Sequence, residues 1–405
     1  MSDRQMSDTP KIALVTGGLQ FGGTTTFLLN LIAGLRARGV ACAVFSFSRA
    51  NPFAAEFESL GAPVCAMDES RAIFEDRLAE LYQRIAQFNP GAIIANIGAD
   101  AYEMLRYVPA GVARIGIIHD LAMNPAQLIP RYEDVLDGVA VVNAQLLEVV
   151  QRAAPKISSR YLTHGVRLPE NLRPRNPNPA GPLRILFLGR LTEGKGTRVF
   201  PLISDQLRGR NVPFQWTIHG EGPDETFLRE KFAREITEGQ VVLSSQIPRE
   251  RIFPLIQQHD IFIMASEIEG GPLTLLETMA AGLVPVCNDI PCLAQEVVTP
   301  ANGFLIPFEA ARYAQCIGRL HEDRALLEKM SGAARQMITA RFTAEAMAER
   351  YLDFISPKIS MTGKSAWHVN LVPKAIRGAG VWTRAAQTVG AVRSVRRALK
   401  RMKSR

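Results

Sequence analysis

The sequence predicts an α/β protein built from two doubly wound parallel sheets, and three observations carry that reading. Short apolar runs alternate with segments of helical period along most of the chain. Two of those runs, KIALVT at 11–16 and LRILFLG at 183–189, each lead into a glycine-rich loop and then a helical pattern. Between them lie Pro169, Pro174, Pro177, Pro179 and Pro182, in a stretch where no apolar period survives. At 405 residues the chain has room for two such units, since a domain usually takes about 100–200 residues.

In order, KIALVT reads as a buried parallel strand with Gly17 and Gly18 behind it. Phe27, Leu28, Leu31, Ile32 and Leu35 then recur at helical spacing, and Gly39 falls where a helix end favours positive φ. ACAVFSF, GAIIANIG, VARIGIIH and GVAVVN are the next strands, separated by helical segments such as RLAELYQRIAQF. After the prolines, GRLTEGKG is a second loop and TRVFPLISDQL a helix. Strands follow near 214–218, 241–244, 260–265 and 283–287, and AEAMAERYLDFI closes the pattern. The expected division is a Rossmann-like domain over 1–168, a Pro-rich linker over 169–182, a second Rossmann-like domain over 183–340, a helix over 341–357 and a basic tail over 358–405. Two such sheets facing each other bind ligands in the cleft, at the carboxyl ends of their strands.

Composition narrows the function. With 47% hydrophobic and 21% charged residues the chain reads as globular, and no apolar run reaches the roughly 18 residues of a spanning helix. The polar start MSDRQMSDTP suggests no secretory signal, so a cytoplasmic protein is expected. Five scattered cysteines, no CxxC, no HExxH and dispersed histidines offer neither a disulfide framework nor a metal site. Of the net charge of +8, residues 358–405 hold +12, which leaves −4 on the first 357 residues. In that tail Val389, Val392, Val395, Leu399 and Met402 recur three or four apart among arginines and lysines, with Trp382 upstream. It reads either as a basic amphipathic helix on anionic lipid or as a solvated tail. From Ala385 on no aromatic residues interleave the charges, so nucleic acid is not an expected partner.

Three segments can carry chemistry. In GGLQFGGTTTF the glycines let backbone approach a phosphate in front of a helix amino end, or simply allow tight packing. The spacing is neither G-x-G-x-x-G nor a P-loop. In GRLTEGKG, Arg190 and Lys195 emerge at a strand's carboxyl edge, where two cations suit a diphosphate, and HGEGPDETFL repeats the strand-to-glycine turn nearby. In DIFIMASEIEGGPLTLLETMAAGLVPVCN, Gly270 and Gly271 precede Pro272 in the expected first turn of a helix that Gly282 stops. Glu269 in the loop can reach a sugar ring. Glu277, inside the helix, is placed to accept hydrogen bonds from ribose hydroxyls, although a helix carboxylate is also commonly just an exposed charge.

Together these segments resemble the family 4 retaining glycosyltransferases of the GT-B fold, over about residues 11–356. The likeness lies in Glu269, seven residues and Glu277 with the Gly-x-Pro turn between them, and in the loops GGLQFGGTTTF, GRLTEGKG and GEGP. A final helix in that family crosses back to the first, acceptor-side domain. The resemblance implies that Gly22 and Gly23 approach the donor diphosphate, that Arg190 and Lys195 neutralise it, and that Glu277 holds the ribose. Glu269 with the backbone of Gly271, Pro272 and Leu273 would hold the sugar and its phosphate. His119, a strand-end histidine on the residues alone, matches the family histidine near the donor sugar hydroxyls, and Asp120 is a lesser candidate for the acceptor. His119 and Glu269 are therefore the catalytic candidates.

The implied activity is transfer of a sugar, with retention, from a UDP- or GDP-sugar to a glycan or lipid-linked acceptor in cell-surface polysaccharide or glycolipid synthesis. In family members the acceptor attacks on the face the leaving group vacates, and a phosphate oxygen takes its proton. No Asp-x-Asp is present, so no metal or other cofactor is expected. A nucleotide-sugar epimerase of the same fold and a non-catalytic nucleotide-sugar binder are the alternatives. The chain departs from the family at His164-Gly165-Val166-Arg167, where Asn-Gly-Val-Asp is common, and at Ser245, where glycine is usual.

Overall fold

A computed structural model describes residues 11–359 and Trp367, apart from 21, 49–50, 68–73, 177 and 246, and gives only backbone for 74–76. The basic tail expected after residue 358 lies almost wholly outside the described residues.

Two parallel sheets form. The first holds β1 (Ile12–Thr16), β2 (Cys42–Ser46), β3 (Val64–Ala66), β4 (Ala92–Ala95), β5 (Ala113–Ile118), β6 (Gly138–Val141) and β7 (Ser159–Tyr161), in the order β3-β2-β1-β4-β5-β6-β7. The second holds β8 (Leu183–Leu188), β9 (Phe214–His219), β10 (Val241–Ser244), β11 (Ile261–Met264), β12 (Val284–Asn288) and β13 (Phe304–Ile306), in the order β10-β9-β8-β11-β12-β13. Every residue of β1, β2, β4, β11 and β12 is buried. Helices cover both faces, which is why these strands read as unbroken apolar runs. The strands that the apolar pattern does not reveal, β3, β7 and β13, have three residues each and lie at sheet edges. Three residues are too few for a period to register.

In each sheet the strand order reverses beside the first strand, between β1 and β4 and between β8 and β11. A crevice opens outside the strand ends at such a point. Both crevices lie on the side where the two lobes meet.

The lobes are joined in two further ways. Among its described residues the Pro-rich stretch forms neither helix nor strand, but it is pinned down. The Arg175 N–H donates to Ala281 O at 2.6 Å, and the Arg175 guanidinium reaches Asp260 at 2.5 Å and Ser331 Oγ at 3.1 Å. The helix Ala344–Ile355, capped by the Thr343 hydroxyl, returns to pack on the first-lobe helix Gly23–Ala37. Gly34 permits that approach, since a Cβ there would stand 2.1 Å from the Ala344 carbonyl oxygen.

Candidate active site

Each candidate residue stands at a strand end for a local reason. After β8, the chain makes a 3-10 turn at Glu193–Lys195 and closes it with Gly196 at φ 68°. A Cβ on Gly196 would lie 1.9 Å from the Ala265 carbonyl oxygen, so this glycine lets the Lys195 turn rest against the end of β11. The Glu267 N–H donates to Gly194 O at 3.1 Å and ties the two loops together. Gly220 and Gly222 do the same for the turn after β9, where a Cβ would stand 1.8 Å from Gly189 O and 2.2 Å from Leu191 O.

Lys195 and Glu269, expected to act on different parts of one ligand, are paired with each other: Lys195 Nζ lies 2.5 Å from Glu269 Oε1. The same carboxylate oxygen accepts from Ser266 Oγ at 2.7 Å. Arg190 is exposed two residues beyond β8. Pro272 differs slightly from expectation. It is the N-cap residue in extended conformation, and the helix spans Leu273–Ala280. No side chain caps that helix start, so its first N–H groups remain free of side-chain acceptors and point their positive dipole end into the crevice. Gly282, at φ 91°, ends the helix as expected.

Glu277 is not an exposed helix charge. It is 4% exposed, and burial raises its carboxyl above the ordinary range, with the Arg249 guanidinium opposing the rise. Sequence reasoning missed Arg249, which bridges the lobes. It donates to Thr26 Oγ1 at 2.9 Å and Asn30 Oδ1 at 3.3 Å on the first-lobe helix, and lies 3.6 Å from Glu56. It follows Pro248 in a segment without glycine, so nothing in the pattern marks it.

The first-lobe glycine loop does two separate jobs. Gly17 packs against Gly98 and closes the crevice between β1 and β4: a Cβ on Gly98 would stand 3.1 Å from Gly17 Cα. At Gly22 and Gly23 a Cβ would meet nothing within 4 Å. Tight packing and open backbone, alternatives in the sequence, are both present a few residues apart.

His119 follows β5 and is buried. Its Nε2 lies 2.6 Å from Asn96 Oδ1, while Asn96 Nδ2 donates to Thr16 Oγ1 at 3.4 Å. The His119 Nε2 therefore carries the proton and its Nδ1 is a bare acceptor. Burial and the neighbouring His164 pull its pKa down to about 3, so the ring is neutral. Asp120 caps the following turn, accepting from the Met123 N–H at 3.1 Å. Across the cleft, Gly270 lies against the His119 carbonyl, and Asn143 Nδ2 donates to Gly270 O at 3.2 Å. His119 and the Glu269–Leu273 turn thus face each other, with His164 beside them. Among the described residues no three His, Cys, Asp or Glu side chains gather as a metal set.

This architecture, two Rossmann-like α/β lobes with facing crevices, is the GT-B fold. The HepE protein of Anabaena, solved in complex with UDP, superposes at TM-score 0.70 with 18% identity, covering 86% of this chain and all of that one. Residues 169–337, about two fifths of the chain, match the family described as glycosyl transferases group 1. WcaL of Salmonella typhimurium, named for colanic acid biosynthesis, is 29% identical over 181 residues, which is 42% of this chain and 44% of WcaL. The amylovoran biosynthesis glycosyltransferase AmsK of Erwinia amylovora is 32% identical over 168 residues, 40% of this chain and 41% of AmsK. The chain spans about two fifths of the length of these relatives.

Proposed function

We propose that the protein is a retaining glycosyltransferase that moves a sugar from a nucleotide-sugar donor to a glycan or lipid-linked acceptor in polysaccharide or glycolipid synthesis. One observation carries the reading: Lys195, Glu269, the uncapped start of the helix Leu273–Ala280 and buried Glu277 converge at one crevice, opposite His119. Departure of a nucleoside diphosphate needs fixed positive charge, and a lysine with a helix amino end provides it without reorganisation. Arg190, exposed and beside that loop, can fold onto the outer phosphate. Gly22 and Gly23 leave room for the diphosphate to pass close to backbone. Glu277 accepts from the ribose hydroxyls, and Glu269 from the sugar once Lys195 turns to the phosphate. His119, neutral and with a bare Nδ1, can accept from a sugar hydroxyl but cannot serve as an acid near neutral pH.

In this scheme the acceptor hydroxyl enters from the first-lobe side, attacks the anomeric carbon on the face of the leaving group, and passes its proton to the departing phosphate oxygen. The C–O bond to the diphosphate breaks as the glycosidic C–O bond forms. Incubation with labelled UDP- and GDP-sugars should give transfer or donor hydrolysis that persists in EDTA, with the donor's anomeric configuration in the product by NMR. An isomerised nucleotide sugar with no acceptor consumed would make the protein an epimerase instead. Folded Lys195→Ala and Glu277→Ala variants that both keep full activity would refute the site.

Among the described residues no helix is long and apolar enough to cross a membrane. The reading places the protein in the cytoplasm, with the basic run after Lys358 resting on anionic lipid. Vesicle binding should fall when residues 374–405 are deleted.

A further inference from the structure

We propose that His164 is a positioning residue that latches the first lobe onto the helix-start turn Gly271–Leu273 and sets the balance between closed and open lobes. Its consequence for donor binding rests on the function proposed above, but the latch itself does not. Three observations carry it. His164 is 3% exposed, and its Nδ1 lies 2.9 Å from the Gly271 carbonyl oxygen. A carbonyl only accepts, so Nδ1 bears the proton and donates across the cleft. The fit is close on both sides: a Cβ on Gly271 would stand 2.5 Å from that same Nδ1.

The ring has little freedom to leave. It packs against Phe27 at 5.0 Å between centroids and lies 6.0 Å from His119. Gly165 behind it is pressed against Thr343, where a Cβ would stand 2.2 Å from the carbonyl oxygen, and Gly165 O accepts from Asn30 Nδ2 at 3.0 Å. The donor nitrogen is therefore preorganised toward the Gly271 carbonyl, the first of the turn that would hold the donor phosphate.

The third observation is on the other side of the same ring. With Nδ1 protonated, Nε2 is a bare lone pair, and it is buried without a hydrogen-bond partner. An unsatisfied buried acceptor carries a desolvation cost, and in this proposal opening of the lobes admits the water that relieves it. One side chain thus closes the lobes through Nδ1 and opposes closure through Nε2. A donor that touches both lobes need add only a little to shift such a balance toward closure.

The chemistry gives a test that a merely structural residue would not pass. Asparagine carries its amide nitrogen at the same δ position and has no ε nitrogen, so His164→Asn keeps the latch donor and replaces the Nε2 lone pair by an amide oxygen nearer the backbone. His164→Ala drops both. Small-angle scattering of the full chain should show His164→Ala more extended than wild type and His164→Asn at least as compact. With donor sugar, His164→Ala should raise KM at least tenfold with a smaller change in kcat, and His164→Asn should hold KM at or below the wild-type value. Nitrogen NMR of ring-labelled wild type, with His164 assigned by its loss in the asparagine variant, should show the Nδ1–H tautomer. An alanine variant as compact as wild type, an asparagine variant that opens like alanine, or an Nε2–H tautomer would each overturn the latch. If no UDP- or GDP-sugar binds, the donor-site reading fails, while scattering and the tautomer still decide the latch.

Discussion

Two cation–carboxylate pairs in the second lobe have the same chemistry and opposite prospects. Asp260 is fully buried and accepts from Arg175 at 2.5 Å, from the Arg184 guanidinium at 2.7 and 3.0 Å, and from the Arg184 backbone N–H at 2.9 Å. Every lone pair is used, and the Pro-rich connection is fastened through it. Lys195–Glu269 is a single contact with side chains 23% and 13% exposed, at the mouth of a crevice. The first pair cannot exchange partners without stranding buried charge; the second can hand its lysine to a phosphate at little cost. Ion pairs are therefore informative about function through what else satisfies each charge, more than through their distance.

The sharpest way to break this comparison is Asp260→Ala, which leaves two arginines facing a buried void. Denaturant unfolding should lose about 3–5 kcal/mol, and a loss under about 1 kcal/mol would erase the distinction. Lys195→Ala should do the reverse, moving stability by no more than about 1 kcal/mol while lowering kcat/KM by about 10²–10³, as removal of a leaving-group contact does. Equal damage to stability from both variants would mean that Lys195 is structural.

Acid should act through buried histidines in both lobes. Burial holds His119 near 3 and His164 and His259 near 4, below the ordinary value of 6.5. The unfolded chain then binds more protons below pH 6.5, so stability present above that pH is lost on acidification, by about 1.4 kcal/mol per pH unit for each histidine. The loss runs down to about pH 3–4. Unfolding measured at pH 7, 6 and 5 should show that slope, reduced by one histidine's share in His164→Asn. The smallest effect is expected at Glu277. Its raised pKa means the folded state holds its proton more tightly, so stability falls as pH rises through the window above the ordinary carboxylate value. Glu277→Gln should therefore be at least as stable as wild type at pH 7, while nucleotide affinity by calorimetry drops about tenfold, the worth of one charged hydrogen bond. A destabilised glutamine variant with intact affinity would reverse its role.

Much of this was legible in one dimension. The apolar runs that became β1, β2, β4, β8, β11 and β12 are readable because a parallel strand is covered on both faces, and Gly39 and Gly282 do end helices with positive φ. The Gly-Gly-Pro turn and the two glutamates also stand together in sequence because the site reuses one strand-loop-helix unit. Arg249, Asn143 and His164 were not legible as parts of one place. Each sits on a different strand-end loop, with ordinary neighbours, and only the meeting of the lobes gives it a partner.

The order of amino acids alone determined that two sheets would form and which loops would crown them, because burial on both faces and glycine-dependent turns are local demands that side chains express locally. Which of those loops touch, that Lys195 spends its charge on Glu269, and that a histidine stands where its Nδ1 reaches Gly271 were decided only by the packing of one lobe on the other. Such contacts join residues more than seventy positions apart, and no spacing along a chain encodes a distance across a cleft.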